Sequence, residues 1–137
     1  MRTLLLLSMM LAASIAGAQN KLTVVVDGIE KSDGKILVAV YDSISYLTPH
    51  PLYAGMAKIE KDQEEVTIEI EDVASGSYAV VVFHDENNNN ILDTGAYGIP
   101  IEKFGFSNNA KPVMAPPSFK ECRIKVEEDT EINITLI

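Results

Sequence analysis

The stretch "VTIEIE", residues 66–71, alternates apolar and polar side chains at six consecutive positions. Val66, Ile68 and Ile70 fall on one side of an extended chain, while the threonine and the glutamates between them fall on the other. Strict alternation of this kind is typical of a β-strand that has one face in the core and one face in water. The stretch therefore predicts an antiparallel sheet with a solvated outer face.

Segments with the same period of two lie on both sides of this stretch. Turn-forming residues separate them, as in Ser32-Asp33-Gly34 and Ala74-Ser75-Gly76, and no segment keeps a helical period. The strands are predicted at 22–29, 35–42, 65–72, 77–85, 119–128 and 131–137, with a weaker candidate at 54–61. About seven short strands predict an all-β, two-sheet antiparallel β-sandwich of the immunoglobulin-like or prealbumin-like kind.

Two of the predicted strands are apolar at both parities. The runs "VVV" (24–26) and "VVVF" (80–83) are typical of central strands whose second face is also covered. The connection at 95–118 is long for a compact domain, so we expect it to have a function or to be held by other groups.

The first 18 residues have the pattern of an export signal. A short basic start precedes the apolar stretch 4–15, and Ala16-Gly17-Ala18 matches the site cut by signal peptidase. The apolar stretch is shorter than the roughly twenty residues that span a bilayer. We expect a signal peptide at 1–18 and a single domain at 19–137. Because no cysteine lies near the cut, we expect a periplasmic or secreted protein without a lipid anchor or membrane insertion.

The predicted mature chain is strongly acidic. Loss of Arg2 lowers the basic count from 11 to 10 against 20 acidic side chains, which changes the net charge from −9 to −10. This charge disfavours nucleic-acid and membrane-surface binding and suits divalent cations. The single cysteine, Cys122, shares strand parity with Ile124 and Val126, so we expect it to be buried in the core.

The stretch "DENNNNILDTG", residues 85–95, has oxygen-bearing side chains at alternating positions directly after an apolar strand. Calcium takes six to eight oxygen ligands, and compact loops supply them from side chains and from the carbonyl oxygen at position seven. Position six, where the chain must turn, is Asn90, and asparagine tolerates the left-handed conformation. The ligands predicted for a structural Ca²⁺ are Asp85, Asn87, Asn89, the carbonyl oxygen of Ile91, and Asp93.

The loop lacks the last ligand of a helix–loop–helix calcium site. Position twelve is Ala96, where such a site has a bidentate glutamate. A calcium loop between strands that takes its last ligand from elsewhere in the chain remains an alternative, and Glu102 is the nearest acidic residue downstream. With two carboxylates and two amides, we expect a dissociation constant of about 10⁻⁵ to 10⁻³ M. The alternative is a solvated turn in which asparagine and aspartate cap their own backbone.

Several motifs cluster in residues 76–119 and at the C-terminus. They are "YAVVVFHDENNNNILDTGAYGIPIEKFGFSNNA", "APPSF" and "INITLI". Together they resemble domain-of-unknown-function family 2141, which implies a small exported bacterial β-sandwich without an established activity. The residues that match the pattern are His84, Asp85, Asn87, Asn89, Asp93, Gly98, Pro100, Glu102 and 105–109. The chain departs from the pattern at Asn90, where the family commonly has glycine.

No arrangement in the sequence requires an enzyme. His50, His84 and Cys122 lack zinc-ligand spacing, and we interpret His84 as a histidine that braces the loop. We expect a non-catalytic, monomeric module of the cell envelope or periplasm that presents a loop surface to an unidentified protein or glycan partner. The alternative is a small periplasmic hydrolase or metal-dependent enzyme that acts near His84 and Asp85.

Aromatic residues follow the loop and flank a proline-rich stretch. Tyr97, Phe104 and Phe106 belong to the first group, and Tyr46 and Tyr53 to the second. They either form a partner-facing rim or cover the open end of the sandwich.

Overall fold

The computed structural model describes residues 19–137, which form a sandwich of two β-sheets. In chain order the strands are β1 (Gln19–Asp27), β2 (Lys35–Tyr41), β3 (Tyr53–Lys58), β4 (Val66–Ala74), β5 (Gly76–Asp85), β6 (Phe104–Phe106), β7 (Ile124–Val126) and β8 (Thr130–Thr135). One sheet has the order β4-β1-β8, and the other has the order β3-β2-β5-β6, with β7 also paired to β5. The predicted all-β, two-sheet sandwich is confirmed.

The predicted signal peptide at 1–18 lies outside the described residues. Within residues 19–137, no helix is long and apolar enough to cross a membrane.

The core lies between the inner faces of the two sheets. In β4 the alternation of the sequence is confirmed, since Val66, Ile68 and Ile70 are buried and the residues between them are exposed. Strands β1, β2 and β5 bury alternate residues in the same way. Their buried side chains form one cluster that includes Leu22, Val24, Val26, Ile36, Val38, Val40, Val80 and Val82. Burial of one such side chain contributes about 1.5–3 kcal/mol to stability.

Strand β5 is covered on both faces, as its apolar run predicts. Its outer face carries Ala79, which is fully buried, and Val81, which packs beside it. The covering groups come from β6 and from a short helix, α1 (Phe119–Cys122). Part of the long connection 95–118 is therefore held against β5.

The strand predicted at 119–128 is wrong in its first half, where the chain forms α1. The side chain of Ser118 accepts a hydrogen bond from the N–H group of Glu121, and the Glu121 carboxylate accepts one from the N–H group of Ser118 at 2.7 Å. This capping box stabilises a helical turn in spite of the apolar–polar alternation. Cys122 is buried as predicted, but it belongs to α1 and packs with Ala79 and Phe106 in a second cluster on the outer face of β5, outside the core between the sheets.

One strand pair departs from the antiparallel pattern. Strand β8 lies parallel to β1, with Leu22 opposite Thr130 and Val26 opposite Ile134. Strand β7 ends opposite Gly76, close to the end of the sandwich where β1 begins. Because the chain crosses between the sheets there, it enters β8 from the same end as β1.

Candidate functional site

The asparagine-rich loop leaves the end of β5 beside the start of β2. The register pairs Lys35 with Asp85 and Ile36 with His84. On the other side of β5, the N–H group of His84 donates a hydrogen bond to the carbonyl oxygen of Lys103 at 2.8 Å. The loop therefore begins from a backbone that is fixed on both sides.

Asp85 holds the loop through its backbone. Its side chain is completely buried, with Oδ1 accepting from the N–H group of Asn89 at 3.1 Å and Oδ2 from that of Asn90 at 2.8 Å. The ammonium group of Lys35 lies 3.9 Å from Oδ2. A buried carboxylate needs hydrogen-bond donors and an opposite charge beside it, and Asp85 has both.

Two asparagines make the sharp turns of the loop. Asn88 and Asn90 have φ values of 58° and 62°, in the left-handed region. Asparagine enters this region more readily than most residues because its short side chain bonds locally. The expectation that Asn90 turns the chain in place of glycine is confirmed.

Asp93 is the residue at which the side chains of the loop meet. Nδ2 of Asn87 lies 2.7 Å from its Oδ2, and Nδ2 of Asn89 lies 2.9 and 3.0 Å from its two carboxylate oxygens. The hydrogen bonds from Asn89 and then from Asn87 lower the pKa of Asp93 below its ordinary value. The centre of the loop is therefore anionic at neutral pH.

The amides of Asn87 and Asn89 turn their nitrogen ends toward Asp93. Their oxygen ends accept backbone hydrogen bonds, Asn87 Oδ1 from the N–H group of Asn89 at 3.3 Å and Asn89 Oδ1 from that of Ile91 at 3.0 Å. The two ends of an amide have nearly the same shape, so a half-turn of the group exchanges them. After this exchange two amide oxygens would face the Asp93 carboxylate, and a cation between them would be needed to stabilise the arrangement.

Glu102 ties the two ends of the loop together. Its side chain is buried, with Oε1 accepting from the N–H group of Asp93 at 2.8 Å and Oε2 from that of Glu86 at 2.7 Å. Both oxygens are therefore occupied by the backbone. To ligate a metal, Glu102 would have to share one of these oxygens with the ion.

The structure gives the predicted ligands different positions. The side chains of Asn87 and Asn89 each contact the Asp93 carboxylate, whereas Asp85 and Glu102 bind backbone N–H groups. Across residues 19–137, no group of three or more histidine, cysteine, aspartate or glutamate side chains is arranged to hold a metal ion. A cation in this loop would depend on amide and carbonyl oxygens as well as on carboxylates.

His84 is buried and has a polar partner. Its Nε2 lies 2.5 Å from the carbonyl oxygen of Asp33 in the turn before β2, as expected of a histidine that braces the loop. The structure does not bring it together with the other residues considered for zinc. His50 is exposed in the connection between β2 and β3, and Cys122 packs against Ala79 nearer the other end of β5.

The chain after the loop folds back as an exposed hairpin, residues 93–101. Its backbone hydrogen bonds run from Ile101 N–H to the Asp93 carbonyl oxygen at 3.0 Å, from Gly95 N–H to the Ile99 carbonyl oxygen at 2.7 Å, and across the tip from Ile99 N–H to the Ala96 carbonyl oxygen at 3.3 Å. Tyr97 lies at the tip and is fully exposed. Residues 94–101 carry no charge. We call the exposed large hydrophobic residues of this hairpin, together with Ile91 in the loop before it, the apolar hairpin surface; they are Ile91, Tyr97, Ile99 and Ile101.

The five aromatic residues do not form a common rim. Phe106 is buried, and the ring of Phe104 packs edge-to-face against it at 5.8 Å. Tyr46 and Tyr53 are partly buried in similar pairs with other rings. Covering the sandwich is therefore the role of four of them, and Tyr97 alone is free for contact.

A 3₁₀ turn after β6 is a junction that sequence reasoning did not identify. The buried Ser107 hydroxyl accepts from the N–H group of Val80 at 3.0 Å and donates to the carbonyl oxygen of Cys122. Asn108 donates to two carbonyl oxygens near the end of α1, and Asn109 accepts from the backbone of β8. The available signal was a run of three small polar residues directly after an apolar strand.

A family model described as "Uncharacterized protein conserved in bacteria (DUF2141)" matches residues 24–134. No curated protein and no solved structure matches the chain. Because the family match covers most of the sequence, the predicted membership is confirmed, and the chain belongs to the DUF2141 family of bacterial proteins.

Proposed function

We propose that this chain is a non-catalytic, exported module of the bacterial cell envelope or periplasm whose 85–93 loop holds a structural Ca²⁺. The convergence of Asn87, Asn89 and Asp93 carries the proposal. The Asn87 and Asn89 side chains both lie within hydrogen-bond distance of the Asp93 carboxylate. Such crowding of oxygen-bearing groups around one carboxylate is what a calcium loop requires.

The supporting residues suit a structural ion. Asp85 already fixes the N–H groups of Asn89 and Asn90, so one of its oxygens needs only a small adjustment to face the loop centre as well. The carbonyl oxygen of Ile91 and the two amide oxygens would supply further ligands. Because Glu102 fixes both ends of the loop, the backbone that carries the ligands is positioned before the ion arrives.

The alternative of an enzyme near His84 and Asp85 gains no support from this geometry. Both side chains are buried, and both are already bonded to backbone groups. A general base or nucleophile needs access to a substrate, and neither residue offers it here. We therefore assign the pair to bracing the loop.

The apolar hairpin surface is the candidate surface for a protein or glycan partner. The hairpin begins at Asp93, so an ion bound in the loop would also fix one strand of the hairpin. An uncharged surface with a fully exposed tyrosine at its tip is unusual on an acidic protein and suits an apolar cleft or a sugar face. In this proposal the protein is monomeric until it meets the partner.

Thermal unfolding tests the calcium proposal. The melting temperature of wild type is measured in EDTA and then over a calcium titration, beside Asp93→Asn and the control Asp62→Asn, which alters an exposed aspartate outside the loop. At a calcium concentration a hundredfold above the dissociation constant, the free energy of unfolding should rise by about 2.7 kcal/mol. Wild type and Asp62→Asn should show this rise, and Asp93→Asn should lose most of it. If the wild-type curves overlay up to millimolar calcium, the loop is a solvated turn.

A further inference from the structure

The net charge of the chain conceals an uneven distribution. Residues 103–125 carry five basic side chains and one acidic one, whereas the rest of the described chain carries five basic and nineteen acidic ones. Residues 43–57 carry no aspartate, glutamate, lysine or arginine. The first segment is therefore net positive and the second is uncharged, whereas the remaining protein is acidic.

The fold brings the two segments together. The hydroxyl of Tyr46, in the connection after β2, donates a hydrogen bond to the carbonyl oxygen of Pro117 at 2.6 Å. The Tyr46 ring also packs edge-to-face on Phe119 of α1, with 5.9 Å between the centroids. Because α1 lies on the outer face of β5, the two segments share one side of the sandwich.

Both exposed aliphatic side chains and exposed cations belong to these segments. Ile44 is 88% exposed, Val113 is 81% exposed, and Met114 is fully exposed. The one acid of residues 103–125, Glu121, is occupied by its capping box with Ser118. We name this region the lysine–aliphatic surface, and its residues are Ile44, Val113, Met114, Lys111, Lys120 and Arg123.

Local hydrogen bonds and backbone geometry fix the two loops that carry the exposed aliphatic side chains. The Asp42 carboxylate accepts from the N–H groups of Ile44 and Ser45 at 3.0 and 2.8 Å, which orders the first loop. In the second loop, the N–H group of Val113 donates to the carbonyl oxygen of Ala115, and Met114 has a left-handed φ of 62°. A bulky residue adopts that conformation only under constraint from its surroundings. The side chains are therefore presented outward and do not fold back onto the sandwich.

We propose that the lysine–aliphatic surface docks on an anionic lipid surface. Protruding aliphatic side chains enter the boundary between head groups and acyl chains, and flanking lysines contact the lipid phosphates. Salt screens charges more than about 8 Å away, so the local sign of the surface governs its contact with a membrane more than the net charge does. This inference departs from the expectation, drawn from net charge alone, that membrane-surface binding is disfavoured.

A second copy of the chain fits this surface less well. The acidic face of the sandwich would match its charge, but in β1, β4 and β8 no large hydrophobic side chain is exposed. A second copy that docked by this acidic face would therefore leave Ile44, Val113 and Met114 without apolar contacts. A lipid surface supplies both the negative charge and the apolar layer.

Vesicle co-sedimentation tests the proposal with the full chain. The probes are phosphatidylcholine vesicles with about one third phosphatidylglycerol, and vesicles of phosphatidylcholine alone. Wild type should bind the anionic vesicles and bind the neutral ones at least about tenfold more weakly. Val113→Ser with Met114→Ser, and separately Lys111→Gln with Lys120→Gln, should each lower the partition coefficient by about tenfold.

Matched variants separate the surface from general effects. Ile137→Ser removes an exposed aliphatic side chain elsewhere, and Lys58→Gln with Lys61→Gln makes the same change in net charge at other exposed lysines. Both control variants should keep wild-type binding, and the N-terminal apolar stretch is common to all variants. Failure of wild type to bind anionic vesicles, or equal loss in surface and control variants, would overturn the proposal. So would sedimentation of the protein alone as a dimer that the surface variants dissociate, because that result assigns the surface to a second copy.

Discussion

Gly34 and Asp85 are in backbone contact where β2 begins and β5 ends. A Cβ atom added to Gly34 would lie 1.9 Å from the carbonyl oxygen of Asp85, and the φ of Gly34 is +77°. Any side chain at this position would push the end of β5 away from β2. The asparagine-rich loop, which starts at Asp85, therefore depends on a glycine that lies fifty-one positions earlier in the chain.

Gly34→Ala is expected to destabilise the fold by roughly 3 kcal/mol or more, because it adds a backbone clash to a left-handed φ. Gly98→Ala is the matched control, with a φ of +71° and no atom within 4 Å of the added Cβ. That variant should be destabilised only by the cost of a left-handed φ for alanine, roughly 1–2 kcal/mol. Urea unfolding midpoints measure both losses. Equal losses in the two variants would contradict the contact with Asp85.

Ser107→Ala is expected to cost roughly 2–3 kcal/mol, because it leaves a buried N–H group and a buried carbonyl without their partner. The N–H group belongs to Val80 in the core strand, and the carbonyl to Cys122 in α1. Ser43→Ala, at an exposed position, should change stability by less than about 0.5 kcal/mol. Urea unfolding of both variants tests this, and a Ser107→Ala loss no larger than that of the control would show that the junction is not required.

Acid unfolding should depend on Asp93. Its pKa is lowered in the folded chain by Asn89 and then by Asn87. A carboxylate of this kind adds stability above its unfolded pKa, and the contribution is lost as the pH falls through the lower folded value. Below about pH 4, wild type in EDTA should therefore lose stability more steeply than Asp93→Asn. Melting temperatures across the acid range measure the slopes, and parallel curves for the two proteins would argue against an ionised Asp93 in the network.

Alkaline unfolding should depend on Tyr78. Burial, followed by the hydrogen bond with Tyr53, raises its pKa from 10 to about 12. A raised folded pKa gives stability that is fully present below the unfolded value and is lost as the pH rises through the folded value. The free energy of unfolding should therefore fall between pH 10 and about 12.

Replacement of the phenol identifies the residue responsible. Tyr78→Phe should flatten the alkaline decline, whereas Tyr97→Phe, at the exposed tip of the hairpin, should leave it unchanged. Tyr78→Phe also removes the hydrogen bond to the Ala74 carbonyl oxygen, which should lower stability at neutral pH by about 1 kcal/mol. A wild-type slope in Tyr78→Phe would show that another group controls alkaline unfolding.

The period of two in the apolar residues predicts most of the sandwich because only one backbone conformation, the extended strand, puts alternate residues on a common face. In 66–71 only an extended chain puts Val66, Ile68 and Ile70 on a common face. The period fails at 119–128 because a capping box, which needs only Ser118 and Glu121, competes with it locally. The direction of β8 could not be predicted from its own residues, because it depends on where β7 leaves the other sheet.

The spacing of residues located the loop but not the orientation of its groups. It placed Asn87, Asn89 and Asp93 together, and the structure shows them in contact. Residue types cannot indicate that the carboxylate oxygens of Asp85 and Glu102 accept hydrogen bonds from backbone N–H groups, since that depends on the path of the backbone around them. The exposure of the hairpin isoleucines could not be predicted for a similar reason, because residue type alone does not distinguish an exposed isoleucine near a strand from a buried one.

The parallel pairing of β1 with β8 also limits how early the sheet β4-β1-β8 can be completed during folding. Leu22 pairs with Thr130, so β1 cannot form its pairing with β8 until a segment 108 positions further along the chain is present. Closing so large a loop costs little additional free energy but slows the search for the native pairing. Until β8 docks, β1 has an open edge on which another chain can add a strand. A nascent chain that has not yet released residues 130–135 therefore exposes an incomplete sheet, and its yield of folded protein should fall as its concentration rises.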